Sequence, residues 1–387
     1  MSSAPPHDER WIPVALGAID VRGSAGFAPE AEVLVIPVVP GPALCLVGEG
    51  AALWRELVRD GPVLPDTVAP ARNALLEHLR DDGLVVRARE HPAAVTHLAA
   101  PALSSPLHEL VYALVQRVAD GAGIRCLFIK GPALHLQGLR EREHSGDVDV
   151  WCDPARWDDL AEALEPWGWI RQPDPWRGTS IHHTATMTPT SWGCEIDIHR
   201  RFPGLTLDDD RAFEMLEKLS TTLDLAGTVV SIPRRDAHAV ISALHAIRPA
   251  VGRTLTPHDH LLAQNTLASA AAAVDAARAL GAVAALRADL AVAFPGVDPG
   301  PDRGVPRDWF HRAQPDRPRA YLAALRSLPP RERVRAARNL VWPPDDIALA
   351  SAARAGEPTT SAGRARRRRL IRGVLSWIAA LHPKERS

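Results

Sequence analysis

The sequence predicts an α+β protein, and three observations support this fold class. The segment VLVIPVVPGPALCLV, residues 33–47, has two short apolar runs around a Pro-Gly-Pro turn, which is typical of two strands. Between 106 and 205, helix-period and strand-period segments alternate. Beyond about 207 the pattern is helical and rich in alanine to roughly 290, and again from 317 to 340. We therefore expect a mixed sheet with helices, then a helical region, with a small domain in front.

The first ninety residues predict a compact unit. Residues 1–30 are rich in Pro, Gly and Ala and are expected to be irregular. EGAALWRELVRDG carries a helical apolar stripe that stops at Gly61, and a second helix near 71–82 is followed by Gly83 and a short strand. Strands, two helices and a terminal strand predict a winged-helix-like domain at 1–90, followed by a linker at 91–105.

The second predicted domain, at 106–205, contains most of the chemistry-bearing motifs. A helix in LHELVYALVQRVADGAG precedes a buried strand at 124–130, a helix at about 132–140 and the strand GDVDVWC. A helix at 154–165 follows, then strands in WGWI, IHHTATMT and WGCEIDIHR. We expect a helical domain at 206–345, and a linker with a basic helix at 346–387.

Composition excludes several classes of protein. A net charge of -1 gives no global argument for nucleic acid or membrane, and no apolar run has membrane-spanning length. The four cysteines have no CxxC spacing, so we expect reduced thiols in a cytoplasmic protein. Lysine is scarce: the only lysines are Lys130, Lys218 and Lys384, and arginine supplies nearly all of the positive charge. A lysine that is kept in such a chain indicates a point-charge role.

Two aspartates stand two positions apart in HSGDVDVWCD. On a strand, Asp147 and Asp149 point to the same face, so either that face is wet or a cation lies between them. Upstream, the strand IRCLFIK ends at Lys130-Gly131, and a glycine at a strand-to-helix turn lets backbone amides approach a phosphate. Downstream, Asp197 lies in the alternating segment EIDIHR. Three carboxylates near a lysine-glycine turn predict a two-magnesium site for nucleotide chemistry.

Each motif also has a simpler interpretation. A D-V-D-V segment is often a half-exposed edge strand, and Asp197 with Glu195 is compatible with an ordinary surface strand. His182, His183 and His199 line an acceptor pocket, orient Asp197, or are ordinary histidines that are partly buried or on the surface. Arg200 presents the same alternatives.

These residues resemble a known family. FIKG, the segment from Arg142 to Val150, the HH pair and EIDIHR resemble the uncharacterised nucleotidyltransferases of the polymerase-beta superfamily, over about 106–265. The resemblance implies two Mg2+ ions held by Asp147, Asp149 and Asp197, with Asp197 helping to deprotonate a hydroxyl acceptor. The donor would be an NTP, with ATP expected.

The resemblance also implies binding roles. The phosphates would be held by Lys130, Gly131, Arg142, Ser145 and Gly146. Independently of the resemblance, the candidates for contact with the acceptor are His182, His183, His199 and Arg200. Pro132 departs from the pattern, because the wider superfamily usually carries serine there and proline lacks an amide donor.

The N-terminal segment has a resemblance of its own. ALCLVGEGAALWRELVRDG followed by LLEHLRDDGLV resembles PqqD-like domains, which recognise leader peptides of ribosomally made precursors. The resemblance implies that a leader adds as a strand beside 43–47, contacting Leu44 and Leu46. The alternative is a packing module without a peptide ligand.

Together these features predict transfer of a nucleoside monophosphate to a hydroxyl, on a modified precursor peptide. The alternatives are a small antibiotic or a tRNA as acceptor, and a non-catalytic nucleotide- or peptide-binding protein. The basic run Arg366–Arg369 is either a solvated tail or a contact with RNA, acidic lipid or an acidic peptide.

Overall fold

The computed structural model describes residues 9–301 and 304–381. The chain folds into two compact units. The first contains 1–170, 187–198 and 220–233, and the second contains 171–186, 199–219 and 234–387.

The N-terminal part of the first unit contains five strands and two helices. They are β1 Arg10–Pro13, β2 Gly17–Asp20, β3 Ala31–Ile36, β4 Leu44–Val47, α1 Gly48–Asp60, α2 Pro70–Asp81 and β5 Val85–Ala88. The two helices and the strands β3, β4 and β5 confirm the pattern read from 33–88. Trp54 of α1 is fully buried in the core of this part, and its indole donates to the carbonyl of Leu84 at 2.9 Å.

The expectation that residues 1–30 are irregular was wrong, because β1 and β2 lie there. Both strands pair with distant partners: Arg10 lies opposite Ala88, and Gly17 lies opposite Ile36. Each strand has four residues, too few for an alternating pattern to stand out among the surrounding prolines and glycines. The long-range pairing that forms these strands leaves no local signal.

The sheet order in this part is β2-β3-β4, which leaves β4 at an edge. Leu46 belongs to the hydrophobic core, and Leu44 packs against it. The side chains of Leu44 and Leu46 therefore lie on the core side of β4, and their contact with a leader peptide stays a prediction.

The part of the chain from 106 to 199 forms a five-stranded sheet with flanking helices. Its elements are α3 Pro106–Gly121, β6 Cys126–Phe128, α4 Gly131–Leu136, β7 Asp147–Cys152, α5 Trp157–Leu164, β8 Trp169–Arg171, β9 Thr184–Pro189 and β10 Glu195–His199. The strand order is β6-β7-β10-β9-β8, and β6 pairs antiparallel with β7. The strands that carry Asp147, Asp149 and Asp197 are therefore neighbours.

A hairpin interrupts the region that the sequence predicted to be helical. β11 Ser220–Leu225 and β12 Thr228–Pro233 pair antiparallel around Ala226-Gly227. Both turn residues have positive φ, 52° and 71°, as a tight two-residue hairpin turn requires. The β-branched run TVVSI favours a strand, and the alanine-rich sequence that follows it obscured this signal.

The second unit is helical. Its helices are α6 Asp209–Lys218, α7 Arg235–Ala246, α8 Pro257–Ala268, α9 Ala273–Leu280, α10 Val283–Ala293, α11 Arg307–Phe310, α12 Arg317–Ser327, α13 Pro330–Val341, α14 Asp345–Arg354 and α15 Ala362–Leu381. Within the two described ranges, no helix combines the length and apolar character that crossing a membrane requires. The α+β class is confirmed, whereas the winged-helix assignment and the domain boundaries stay predictions.

Candidate active site

Asp147 and Asp149 are the first and third residues of β7, an inner strand of the five-stranded sheet. The amide of Ile129, directly after β6, donates to the carbonyl of Asp149 at 3.0 Å, which fixes the register between the two strands. Val148 and Val150 on the opposite face are fully buried. Asp149 is only 2% exposed, so the interpretation of this face as simply wet is wrong at that residue. A buried carboxylate requires a cation or hydrogen-bond donors close to it.

Lys130 supplies one such cation. Its ammonium forms an ion pair with Asp149, and the two side chains are 13% and 3% exposed. The register explains the contact, because Lys130 directly follows Ile129, whose amide binds the backbone of Asp149. At this turn the sequence predicted a lysine directed at phosphates, and the structure pairs that lysine with a carboxylate.

The Lys130-Gly131 turn has an unusual backbone. Lys130 has φ 63° and ψ −147°, a region that residues with a side chain rarely adopt, and Gly131 has φ 57°. The turn leads directly into α4, where Pro132 lies in the first turn. Amides of a first helical turn have no intrahelical partner, so proline is tolerated there, although it leaves one donor fewer for a ligand.

A group of donor atoms suited to a cation lies beside this ion pair. Asp149, Asp197 and His199 each offer a ligand atom, and these atoms lie within 4.8 Å of one another. Asp197 and His199 are two positions apart on β10, and Nδ1 of His199 lies 3.1 Å from the Thr184 hydroxyl. Carboxylate oxygens suit Mg2+ and Mn2+, and imidazole suits transition metals, so the donor set fits a divalent cation.

Asp147 has a different environment from Asp149. It is half-buried and accepts a hydrogen bond from the Ser145 hydroxyl at 2.8 Å. Among the described residues it is not part of the three-ligand group, in which His199 stands instead. The predicted trio of carboxylates is therefore partly assembled: Asp149 and Asp197 meet, and Asp147 lies one step along the same face of β7.

Arg140 supports the loop that leads into β7. Its guanidinium donates to the carbonyls of Arg142 at 2.6 Å and Glu143 at 2.8 Å. Burial lowers the pKa of Arg140. The loop before Asp147 is thus shaped by contacts to its own backbone. Arg142 and Gly146 are exposed in this loop, and Ser145 is half-buried.

A buried tyrosine lies behind the turn. Tyr112 of α3 packs its ring against His108 and Phe128, with centroids 5.6 and 4.9 Å away. Within the described part of the chain its hydroxyl has no hydrogen-bond partner, and burial, followed by the charge of Asp149, raises its pKa well above the usual value. The hydroxyl therefore stays protonated and points toward Gly131.

The match to a family model decides the identity of the chain. The model of an uncharacterised nucleotidyltransferase family matches residues 99–294, just over half of the 387 residues. The chain belongs to this family. The family match confirms the predicted nucleotidyltransferase class of enzyme, and no curated protein matches the chain.

Solved structures give distant matches to this nucleotidyltransferase. The lincosamide antibiotic adenylyltransferase LnuA, with lincomycin bound, is 19% identical with a TM-score of 0.27, over 41% of this chain and 94% of that one. An antigenic nucleotidyltransferase-like protein from Paracoccidioides brasiliensis is 18% identical with a TM-score of 0.33, over 50% and 94%. A tRNA-processing enzyme is 15% identical with a TM-score of 0.21, over 68% and 74%. Scores this low carry no argument about the substrate of this nucleotidyltransferase.

The two adjacent histidines lie just before β9, outside the strand in which the sequence placed them. The ring of His183 lies 3.0 Å from the Arg312 guanidinium, and burial, followed by the charge of Arg312, lowers its pKa well below the usual value. His182 is buried. Arg200 of this nucleotidyltransferase pairs with Asp209 at 3.1 Å. Their role in acceptor binding stays a prediction.

The basic run near the end of the nucleotidyltransferase chain has partners within the second unit. Arg366 pairs with Asp345 and lies over the Trp342 ring, and Arg369 donates to the Ser351 hydroxyl at 2.8 Å. An RNA contact through Arg366–Arg369 stays a prediction.

Sequence reasoning missed four residues around this site: His108, Tyr112, Arg140 and Thr184. His108 and Tyr112 lie in an apolar helical pattern that reads as ordinary core. Burial lowers the pKa of His108, and its Nε2 has no partner among the described residues. The one available signal for Tyr112 was Gly131, because a glycine that must stay small implies a close neighbour.

Proposed function

We propose that this nucleotidyltransferase transfers a nucleoside monophosphate from an NTP, with ATP as the expected donor, to a hydroxyl acceptor. The observation that carries the proposal is the buried Lys130–Asp149 ion pair beside Asp197 and His199 on neighbouring strands. A cluster of carboxylates with a lysine at a glycine turn matches what polyphosphate and divalent cations require together.

The residues divide into three roles. Asp147, Asp149 and Asp197 would hold two Mg2+ ions, with His199 as an additional donor atom. Bound Mg2+ would neutralise the phosphates and lower the pKa of a coordinated hydroxyl. Lys130 and Arg142 would neutralise the polyphosphate, and the backbone at Gly131, with Ser145 and Gly146, would allow its close approach.

The proposed transfer is a single displacement at the α-phosphorus. The acceptor oxygen forms a bond to the α-phosphorus, the bond from that phosphorus to the bridging oxygen breaks, and pyrophosphate leaves. The proton of the acceptor hydroxyl passes to the Asp197 carboxylate, which is half-buried at the end of the sheet face. Nδ1 of His199 lies beside the Thr184 hydroxyl, and this hydrogen bond orients the ring.

We further propose that the acceptor is a ribosomally made peptide whose leader pairs with β4. The edge position of β4 supports this proposal, because an added strand gains main-chain hydrogen bonds from an exposed edge. Leu46 is buried and Leu44 is half-buried against the same core, so in this proposal they hold the edge strand in place while its main chain pairs with the leader.

The test is transfer of label from each α-labelled NTP, with Mg2+, to peptide, small-molecule and RNA fractions. Asp197→Asn should reduce transfer by at least about a hundredfold, because a ligand and a proton acceptor are lost together. Asp153→Asn is the matched control, since Asp153 pairs with Arg125 at 2.9 Å just beyond the end of β7. Equal turnover of Asp197→Asn and wild type would contradict the proposal, and the labelled fraction identifies the acceptor.

A further inference from the structure

The Lys130–Asp149 ion pair places a lysine on the carboxylate that a divalent cation would also use. We propose that the Lys130 ammonium and a divalent cation are alternative partners of Asp149, and that the polyphosphate favours the cation by drawing Lys130 away. This inference rests on the proposed function and adds regulation of the same site to it.

The buried carboxylate of Asp149 is stabilised by a positive partner. Its side chain is 3% exposed, and an ionised carboxylate at that depth is strongly disfavoured without a compensating charge. Asp197 and His199 have donor atoms within 4.8 Å, and of these Asp197 adds a second negative charge. Either an ammonium or a divalent cation satisfies this need, but both at one carboxylate repel each other.

Lys130 is the partner that is able to leave. Its side chain is more exposed than that of Asp149, 13% against 3%, and a lysine reaches outward on a flexible four-carbon stem. Asp149 lies within β7, between β6 and β10, and its carbonyl is bound by the Ile129 amide. An exchange of partners at this carboxylate therefore moves the lysine and leaves the ligand cluster in place.

The backbone at Lys130 supports a role for the side chain. With φ 63° and ψ −147°, the position suits glycine, which the sequence uses freely elsewhere with positive φ. A residue with a strained backbone persists where its side chain makes a contact that offsets the strain, and here that contact is with Asp149. Lys130 is also one of only three lysines in the chain.

The exchange couples the two ligands of the enzyme. If the polyphosphate takes Lys130, it makes Asp149 available to the cation, and a bound cation in turn releases Lys130 to the polyphosphate. Such coupling is reciprocal by thermodynamic necessity. A nucleotide and a divalent cation then bind cooperatively, and the carboxylate cluster alone binds the cation weakly.

The test uses Mn2+ alone, titrated into the full-length protein without nucleotide and followed by the electron paramagnetic resonance signal of free Mn2+. Lys130→Gln and Lys130→Met should bind Mn2+ about tenfold more tightly than wild type or better, a change within the usual range of coupling between sites. Lys130→Arg keeps the charge and should stay close to wild type. Arg22→Gln is the control for net charge, because Arg22 forms an exposed pair with Asp20.

A second measurement uses an NTP analogue with a methylene group between the α- and β-phosphates. Its affinity should rise with Mn2+ in wild type much more than in Lys130→Gln. Circular dichroism and thermal melting verify that both neutral variants are folded, and either folded variant suffices.

Unchanged or weaker Mn2+ binding in the folded neutral variants would overturn the inference, as would absence of Mn2+ binding in every variant. The proposed function is judged separately by the label-transfer assay with Asp197→Asn. Active transfer together with unchanged Mn2+ affinity in Lys130→Gln therefore rejects the exchange and leaves the enzyme assignment standing.

Discussion

The hydroxyl of Tyr112 occupies the space beside Gly131 that any larger residue would need. A Cβ atom on Gly131 would overlap the Tyr112 oxygen, well inside van der Waals contact. Tyr112 belongs to α3 and Gly131 to the start of α4, so this contact brings a helix of the core against the turn that carries Lys130.

Gly131→Ala should destabilise the protein, and Tyr112→Phe should partly rescue it. The clash is with the hydroxyl alone, because the next nearest Tyr112 atom lies at 3.7 Å from the same point. The positive φ of Gly131 adds about 1–2 kcal/mol that no change at Tyr112 removes. Thermal melting of the two single variants and the double variant gives the coupling, which we expect to exceed about 1 kcal/mol.

Gly138→Ala is the matched control for this cycle. Gly138 also has positive φ, 67°, but a Cβ there would meet nothing within 4 Å. It therefore carries the backbone cost without the clash. Equal destabilisation by Gly131→Ala and Gly138→Ala, with no effect of Tyr112→Phe on the former, would show that the contact is not rigid.

Lys130→Gly should melt at a higher temperature than Lys130→Ala. Both variants lose the ion pair with Asp149, and they differ only in how well the residue accepts φ 63° and ψ −147°. A residue with a Cβ in such a region costs about 1–3 kcal/mol, and glycine avoids most of it. If alanine melts at the same temperature as glycine, the turn relaxes once the lysine is gone, and the strain is a property of the ion pair.

His311 should make stability fall as the pH decreases below about 6.5. Burial, followed by the charges of Arg312 and Arg201, lowers its pKa to about 4. Between pH 6.5 and 4 the unfolded chain binds the proton and the folded chain does not, so stability is complete above 6.5 and is lost progressively down to about 4. The melting temperature of His311→Asn should vary less over this interval than that of wild type. Parallel curves would mean that His311 titrates normally in the folded protein.

Proline substitutions should distinguish the β4 amides that face β3 from those available to a leader peptide. Adjacent amides of a strand point to opposite sides, so of Cys45 and Leu46 one amide faces β3 and the other faces away. Proline at the outward amide should keep the fold and prevent leader binding, because it removes a donor that the added strand uses. Fluorescence anisotropy with precursor peptides encoded beside the gene measures binding. A folded proline variant that binds the leader as wild type does would remove β4 from the peptide site.

The part of the site that could be predicted is the part that local sequence encodes. The D-V-D-V alternation placed Asp147 and Asp149 on one face of a strand, and the segment EIDIHR placed Asp197 on another strand, next to it in the sheet. Period-two patterning and the glycine after Lys130 involve residues that are close together in sequence, so they can be read without knowledge of the tertiary contacts.

The rest depends on contacts between distant residues. Nothing in the sequence near Lys130 indicates that its ammonium pairs with Asp149, since that depends on the register of β6 against β7. Tyr112 is missed because an apolar helix conceals a single hydroxyl. Strand β1 is missed because its partner, β5, lies far away along the chain. Strand β11 is missed because it depends on the turn to β12, which residue propensity alone does not reveal.

The burial pattern of β7 makes the site intolerant of changes in chain length. Val148 and Val150 alternate with Asp147 and Asp149, so one inserted residue inside the strand would turn carboxylates into the core and valines toward the ligand face. The preceding loop at 141–146 is different, because its residues are largely exposed and take no part in the strand pairing. Libraries that vary this enzyme should therefore reject insertions and deletions within β7, and in the loop they should leave Arg142, Ser145 and Gly146 in place, because these residues are assigned to the phosphates.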